Sequence, residues 1–154
     1  IYGITKYAQE QMVMTACSSM GVAPVAVRFQ NVYGEGQSLL NPYTGILSIF
    51  SSQILNGTDI NVFEDGNESR DFIHVNDAVK ATIKCIENDA AKGEIFNVGT
   101  GVSTSVTTVA ENLRKFYNID FHINVSGQFR LGDIRHNFAD ISKIKSKLNL
   151  IFII

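Results

Sequence analysis

An α/β fold built on parallel strands is what this sequence predicts, and three observations predict it. The runs VAPVAVRF at 22–29 and EIFNVG at 94–99 are almost continuously apolar. That is the pattern of strands buried on both faces, as in a parallel sheet. Between such runs lie stretches of helical composition, led by residues suited to cap a helix. Gly21 and Gly57 follow two of these stretches, where a left-handed residue closes a helix. Strands alternating with helices define the α/β class.

The elements follow in order. Residues 2–20, rich in Ala, Met, Gln and Glu, read as a helix that stops at Gly21. The strand at 22–29 comes next. NVYGEGQSLLNPYTG, residues 31–45, reads as a loop because it holds Gly34, Gly36 and Pro42. A second helix occupies 44–56 and ends at Gly57. INVFE (60–64) is a strand, DGN a turn, and RDFIHV (70–75) another strand. Asn76 or Asp77 is expected to cap a helix reaching about residue 88. After the strand at 94–99, Ser105 caps a helix through Tyr117. FHINV (121–125) is a strand, and ADISKIKSKL (139–148) carries the last helix.

The 154 residues fit one unit of ordinary size, and 45% hydrophobic content supports a core. Net charge is −2, with acids and bases intermixed. No basic stripe marks a nucleic-acid or membrane-surface binder, so neither partner is expected. Lys143, Lys145 and Lys147 form the one basic cluster and read as a solvated helix face. No apolar run approaches the length of a membrane span. Cys17 and Cys85 stand far apart and read as small buried thiols of a reducing, cytoplasmic compartment. His74, His122 and His136 are scattered without metal-ligand spacing, so no metal site is expected.

The chemistry begins at the second residue. In IYGITKYAQEQ, Tyr2 and Lys6 stand four residues apart, on one face of a helix. A nearby ammonium stabilises a phenolate. Such a pair makes a general base for a sugar or alcohol hydroxyl. Removing that proton helps hydride leave the same carbon for a nicotinamide. The same spacing also describes two polar residues on a helix surface. Glycines offer no dinucleotide fingerprint: after Gly99 and Gly101 the third GxGxxG position holds Thr104, and after Gly34 and Gly36 it holds Leu39.

The blocks YGITK, RFQNVYGEGQ, ESRDFIHVNDAV, FNVGTG and RLGDIRHNFADISK, in that order, resemble the extended short-chain dehydrogenase/reductase family. These are NAD-dependent nucleotide-sugar epimerases and dehydratases. NVYGEGQSLLNPYTGILSIF together with INVFEDGNESRDF more narrowly resembles the dTDP-L-rhamnose 4-epimerase group. The resemblance implies a partial Rossmann domain, a doubly wound parallel sheet, interleaved with a smaller α/β substrate-binding domain. Its implied divisions are 1–36 and 76–100 for the Rossmann part, 37–75 and 101–154 for the substrate part.

The resemblance also implies roles. Tyr2 is the catalytic base, and Lys6 binds the nicotinamide ribose and tunes Tyr2. Gln30 contacts the nicotinamide end of NAD, and Asn31 the substrate pyrophosphate. Arg70 meets the diphosphate, where a guanidinium offers paired donors to phosphate oxygens. Arg130 and Asp133 hold the nucleotide, Val62 and Phe63 flank its base, and Thr44 and Gly45 line the sugar end. Each residue has a plainer reading. Arg70 with Asp71 makes a surface ion pair, Arg130 and Asp133 are loop charges, and Gln30 and Asn31 shape a turn. Phe63 is core, and Thr44 and Gly45 start a helix. Asp77 reads as a helix cap rather than an acid.

The implied activity is 4-epimerisation of a dTDP- or UDP-hexose, through a keto intermediate and hydride return, in a homodimer. The alternatives are a nucleotide-sugar 4,6-dehydratase, an inactive fragment, or a non-catalytic member of the same fold. The family's glycine-rich NAD segment, and the Ser or Thr that precedes its tyrosine, have no counterpart in these residues. The tail LNLIFII also departs from the family, which usually continues past KLG with a proline-containing segment. The chain therefore reads as an N-terminally truncated fragment. Alone it is expected to lack measurable NAD binding and to be inactive, and to be poorly soluble or partly unfolded.

Overall fold

The computed structural model describes residues 1–39, 45–129 and 131–152. It opens with helix α1 (Tyr2–Ser19). Gly21 at φ +71° closes that helix: its N–H donates to the Ser18 carbonyl, and the Val22 N–H reaches back to Cys17. This is the double bond of a Schellman motif, which needs a left-handed residue and therefore favours glycine. Gly57 closes α2 (Ile46–Leu55) in the same way, with the Thr58 N–H on the Gln53 carbonyl.

Strand β1 (Val25–Phe29) pairs in parallel with β6 (Glu94–Val98). Between them in sequence lie β2 (Asn31–Tyr33), β3 (Ile60–Val62), β4 (Ser69–Arg70), β5 (Phe72–His74), and helix α3 (Val75–Glu87) with the 3₁₀ turn Asp89–Ala91. After β6 come β7 (Thr104–Ser105), α4 (Val106–Tyr117), β8 (Ile123–Val125), β9 (His136–Asn137) and α5 (Ser142–Leu148). β2 pairs in parallel with β5, and β3 with β8. β4 lies between an antiparallel β7 and a parallel β9.

Two apolar clusters hold these layers. α3 and α5 pack beside β1, β5 and β6, burying Ile73, Ala81, Cys85, Phe96, Val98 and Ile144. α2 and α4 pack over β3 and β8, burying Phe50, Ile54, Ile60, Val62, Val109 and Ala110. α1 buries nothing. Its Ile4, Tyr7, Met12 and Val13 are exposed, and the Glu10–Arg28 ion pair, at 2.6 Å, tethers it to β1.

Several expectations are corrected. The expected loop at 31–45 begins with β2, because Asn31 to Tyr33 hydrogen-bond to β5. The strand expected at 70–75 is broken at Asp71, whose side chain turns inward. His74, not Asn76 or Asp77, caps α3, accepting the Asn76 N–H on Nδ1 at 3.3 Å. The chain enters α3 straight from β5, so the last extended residue takes the cap. Asp77 sits in the first turn and pairs with Lys80 at 3.1 Å. Ser105 does cap α4, accepting from the Thr108 N–H at 3.1 Å.

The lysines of α5 are also not simply solvated. Lys143 and Lys147 both reach Glu94 on β6, Lys143 at 2.8 Å. Hydrogen bonds from Lys143 and then Lys147 hold the Glu94 carboxyl down at about 2 from its ordinary 4.5. A carboxyl depressed on folding adds stability that is complete above its unfolded value and lost as pH falls toward its folded value. Urea-unfolding midpoints should therefore drop between pH 4.5 and about 2. Replacing Lys143 and Lys147 by Met should flatten that part of the profile. An unchanged slope would show that the bridge contributes nothing.

Candidate active site

Asn31 begins β2, and its backbone N–H and side-chain Nδ2 both donate to the Asp71 carbonyl, at 3.0 and 3.3 Å. Arg70 ends β4. Its Nη1 donates to the carbonyls of Ser69 and Arg135, at 2.8 and 3.0 Å, and Nη2 reaches Asp133 Oδ1 at 3.2 Å. Phe63 follows β3, whose pairing with β8 fixes its direction. These residues converge. Asn31, Phe63, Arg70 and Asp133 line one cleft of about 320 Å³, floored by apolar residues of α2 such as Ile49 and Phe50. A small-molecule site has this size and this mix of apolar wall and few polar groups.

Asp71 decides how Arg70 is presented. It is completely buried and is not the partner of Arg70. Its carboxylate accepts the N–H groups of Thr100, Gly101 and Ala139, at 2.8, 2.9 and 3.2 Å, and the Thr100 hydroxyl at 2.7 Å. Gly99 permits this. A Cβ there would stand 2.5 Å from Asp71 Oδ2 and 2.7 Å from Gln30 Cγ. The GTG loop is thus an anion-binding run of backbone N–H groups, and its anion is the protein's own carboxylate.

Arg135 was not singled out from sequence, yet it shapes the cleft wall. Its guanidinium spans Glu64 and Asp65, both at 2.6 Å. Chiefly through that bond, and then the Asn67 N–H, Asp65 is lowered to about 2. The Arg135 carbonyl accepts from both Ser69 N–H and Arg70 Nη1. The spacing of two charges in GDIR is a weak signal, because it does not say which carboxylates those charges meet.

The other expected residues are placed as follows. Val62 is fully buried in the α2–α4 core and does not line the cleft. Gly45 is the N-cap of α2, next to Ile46 on the cleft wall. Thr44 and Arg130 lie outside the described residues. Tyr2 and Lys6 line a separate, open groove of about 630 Å³ between α1 and β1. Tyr2 is 75% exposed. Lys6 Nζ stands 5.7 Å from its ring centroid and donates to Gln9 Oε1 at 3.3 Å. Gln30, just past β1, has a buried Oε1 without a partner. That orphaned acceptor and the exposed pair on α1 are groups that fit the polar amide and ribose of a nicotinamide.

Glu64, Asp65 and Glu68 bring carboxylate oxygens within 4.8 Å of one another. Among the described residues, no helix is long and apolar enough to cross a membrane.

Comparison with known proteins shows what this chain is similar to. The model of the NAD dependent epimerase/dehydratase family matches residues 1–99. The dTDP-L-rhamnose 4-epimerase of Burkholderia thailandensis is 38% identical over 149 residues, covering 96% of this chain and 40% of that protein. A putative UDP-glucose 4-epimerase of Methanocaldococcus jannaschii is 32% identical over 146 residues, covering 94% of this chain and 46% of its own length. The crystal structure of a Thermotoga maritima UDP-glucose 4-epimerase with UDP-glucose superposes with a TM-score of 0.90 at 31% identity, across 98% of this chain and 48% of that one. The chain thus spans less than half the length of these relatives. The family model covers residues 1–99 of the 154, and the chain belongs to the NAD-dependent epimerase/dehydratase family.

Proposed function

We propose that this chain carries the tyrosine–lysine pair and much of the substrate cleft of an NAD-dependent nucleotide-sugar 4-epimerase acting on a dTDP- or UDP-hexose. The observation that carries the proposal is the convergence of Asn31, Phe63, Arg70 and Asp133 on one cleft. Three residues far apart in sequence from Asn31 meet it through β2–β5 pairing, β3–β8 pairing and the Arg70–Asp133 contact.

Each residue has a task that its geometry supports. Arg70 spends both Nη1 hydrogens and one of Nη2 on the protein. Its Nε–H and second Nη2–H are left, among the described residues, for diphosphate oxygens. Phe63 offers a half-exposed ring to a base. Asn31, fixed by its Nδ2, keeps its amide oxygen for the ligand. Tyr2 takes the proton of the C4 hydroxyl, and Lys6 beside its ring stabilises the resulting phenolate. NAD, when bound with Gln30 and Lys6 at its nicotinamide end, supplies the hydride acceptor and donor at C4. Thr44 and Arg130 are assigned to the sugar end and the nucleotide from family resemblance alone.

The exposed apolar residues of α1 support a homodimer joined through that helix. Free Cys17 and Cys85 suit the cytoplasm. No glycine-rich strand–turn–helix occurs in the 154 residues, so titrating this chain alone with NAD should show no binding at micromolar levels. Saturable micromolar binding would show that the α1 groove suffices.

The test is product analysis. The full-length gene product, with NAD and either UDP-glucose or dTDP-L-rhamnose, should yield the C4-inverted sugar by proton NMR. A 4-keto-6-deoxy product would identify a dehydratase instead. Both substrates unchanged would overturn the proposal.

A further inference from the structure

Among the described residues, Glu64, Glu68 and Asp133 line the cleft, with Asp65 next to Glu64, and all but Glu68 are matched by arginines. Glu64 and Asp65 share Arg135, and Asp133 pairs with Arg70. Glu68 is the exception. It lines the same cleft and is only 6% exposed. Its Oε2 is buried with no hydrogen-bond partner. Its backbone is pinned, since the Glu68 carbonyl accepts the Val106 N–H at 2.9 Å and the next residue, Ser69, donates to the Arg135 carbonyl at 3.0 Å. The carboxylate therefore cannot leave the wall by moving its main chain. It can turn about χ3, which is a soft torsion.

A buried carboxylate oxygen without a partner is costly to hold, and folding alone gives no reason to keep it. Arg135 is already engaged by two acids, and both Nη1 hydrogens of Arg70 are spent on carbonyls. Among the described residues no donor reaches Glu68 Oε2, although it lines the cleft where a ligand would lie. An anionic phosphate cannot supply one. A hydroxyl can, by donating to the carboxylate in a charge-assisted hydrogen bond.

We propose that Glu68 is a substrate-reading residue whose carboxylate accepts a hydrogen bond from a hydroxyl of the bound nucleotide sugar, on its ribose or its hexose. This rests on the nucleotide-sugar reading of the cleft and adds to it a selection for hydroxyl-bearing ligand beside the diphosphate contact. Because the site contributes an acceptor that water cannot replace once the cleft is filled, a ligand lacking that hydroxyl is penalised.

Isothermal titration of the full-length protein tests this, with Glu68→Leu, which removes the acceptor, and Glu68→Gln, which keeps one acceptor oxygen and the shape. Ligands are UDP-glucose, UDP and 2′-deoxy-UDP. Glu68→Leu should weaken UDP-glucose by about tenfold or more, and Glu68→Gln by less. The ligand-free melting temperature of Glu68→Leu should stay level or rise, because a buried polar atom without a partner has been removed. A loss shared by UDP places the hydroxyl on the ribose, and 2′-deoxy-UDP then tells the 2′-hydroxyl from the 3′. A loss confined to UDP-glucose places it on the hexose. Equal affinity of wild type and both variants would overturn the proposal while leaving the cleft's function standing. A wild type that binds neither these ligands nor dTDP-L-rhamnose and dTDP would overturn that function, and this proposal with it. If Mg²⁺ or Ca²⁺ alone raised the wild-type melting temperature but not that of Glu68→Gln, with nucleotide affinity unchanged, the carboxylate would be a cation ligand and the proposal wrong.

Discussion

Changing Tyr2 to Phe in the full-length protein should lower turnover by about 10²- to 10⁴-fold, the usual contribution of a positioned general base. The fold of these 154 residues should be untouched. Tyr2 is 75% exposed on a helix that buries none of its residues. Its hydroxyl has no hydrogen-bond partner among the described residues, so removing it leaves nothing unsatisfied. Substrate affinity should also hold, because the diphosphate and base contacts lie in the other cleft. The expected signature is therefore a fall in kcat with KM and melting temperature close to wild type. Turnover within a factor of about three of wild type would remove Tyr2 from the chemistry. Lys6→Met should lower turnover too, since the ammonium beside the ring is lost.

The largest effect on stability is expected at Asp71. Replacing it by Ala should cost several kcal/mol, since each buried donor left unsatisfied costs about 1–3 kcal/mol. The reason is the number of donors stranded. Three backbone N–H groups and the Thr100 hydroxyl converge on this one carboxylate. They come from the loop after β6 and from the segment leading into α5, so Asp71 ties three distant stretches together. Asp71→Asn should also be damaging, because an NH₂ group would face N–H donors. Nucleotide-sugar affinity should fall with stability, since the carbonyl of residue 71 also positions Asn31. Urea unfolding gives the measurement. A loss below about 1 kcal/mol would mean that water replaces the carboxylate.

Much of this was legible in the sequence because it is local. The apolar runs at 22–29 and 94–99 read as parallel strands, and β1 and β6 pair in parallel. The expected burial on both faces is not met at β1, which is at most half-buried and leaves Arg28 and Phe29 exposed. Gly21 and Gly57 could be read as helix stops because a left-handed residue is a local requirement. The Ser105 cap needs only the next turn of its own helix. Short strands were harder. β2, β7 and β9 are two or three residues long. They have no periodicity of their own and exist because a partner strand offers them hydrogen bonds.

The candidate site divides along the same line. The sequence by itself determined the residue types: a tyrosine one helical turn from a lysine, an arginine beside an aspartate, and a glycine pair too irregular to be a dinucleotide fingerprint. Only the tertiary structure decided their partners. It sent Asp71 inward to the GTG loop, left Arg70 in the cleft with Asp133, and put Val62 in the core while Phe63 stayed on the wall. It also clamped Glu64 and Asp65 with Arg135 and left Glu68 alone. Charge and side-chain type are properties of one position. Which charges neutralise one another depends on long-range strand pairing, because an ion pair or hydrogen bond forms only within a few ångströms, and sequence separation does not reveal that distance.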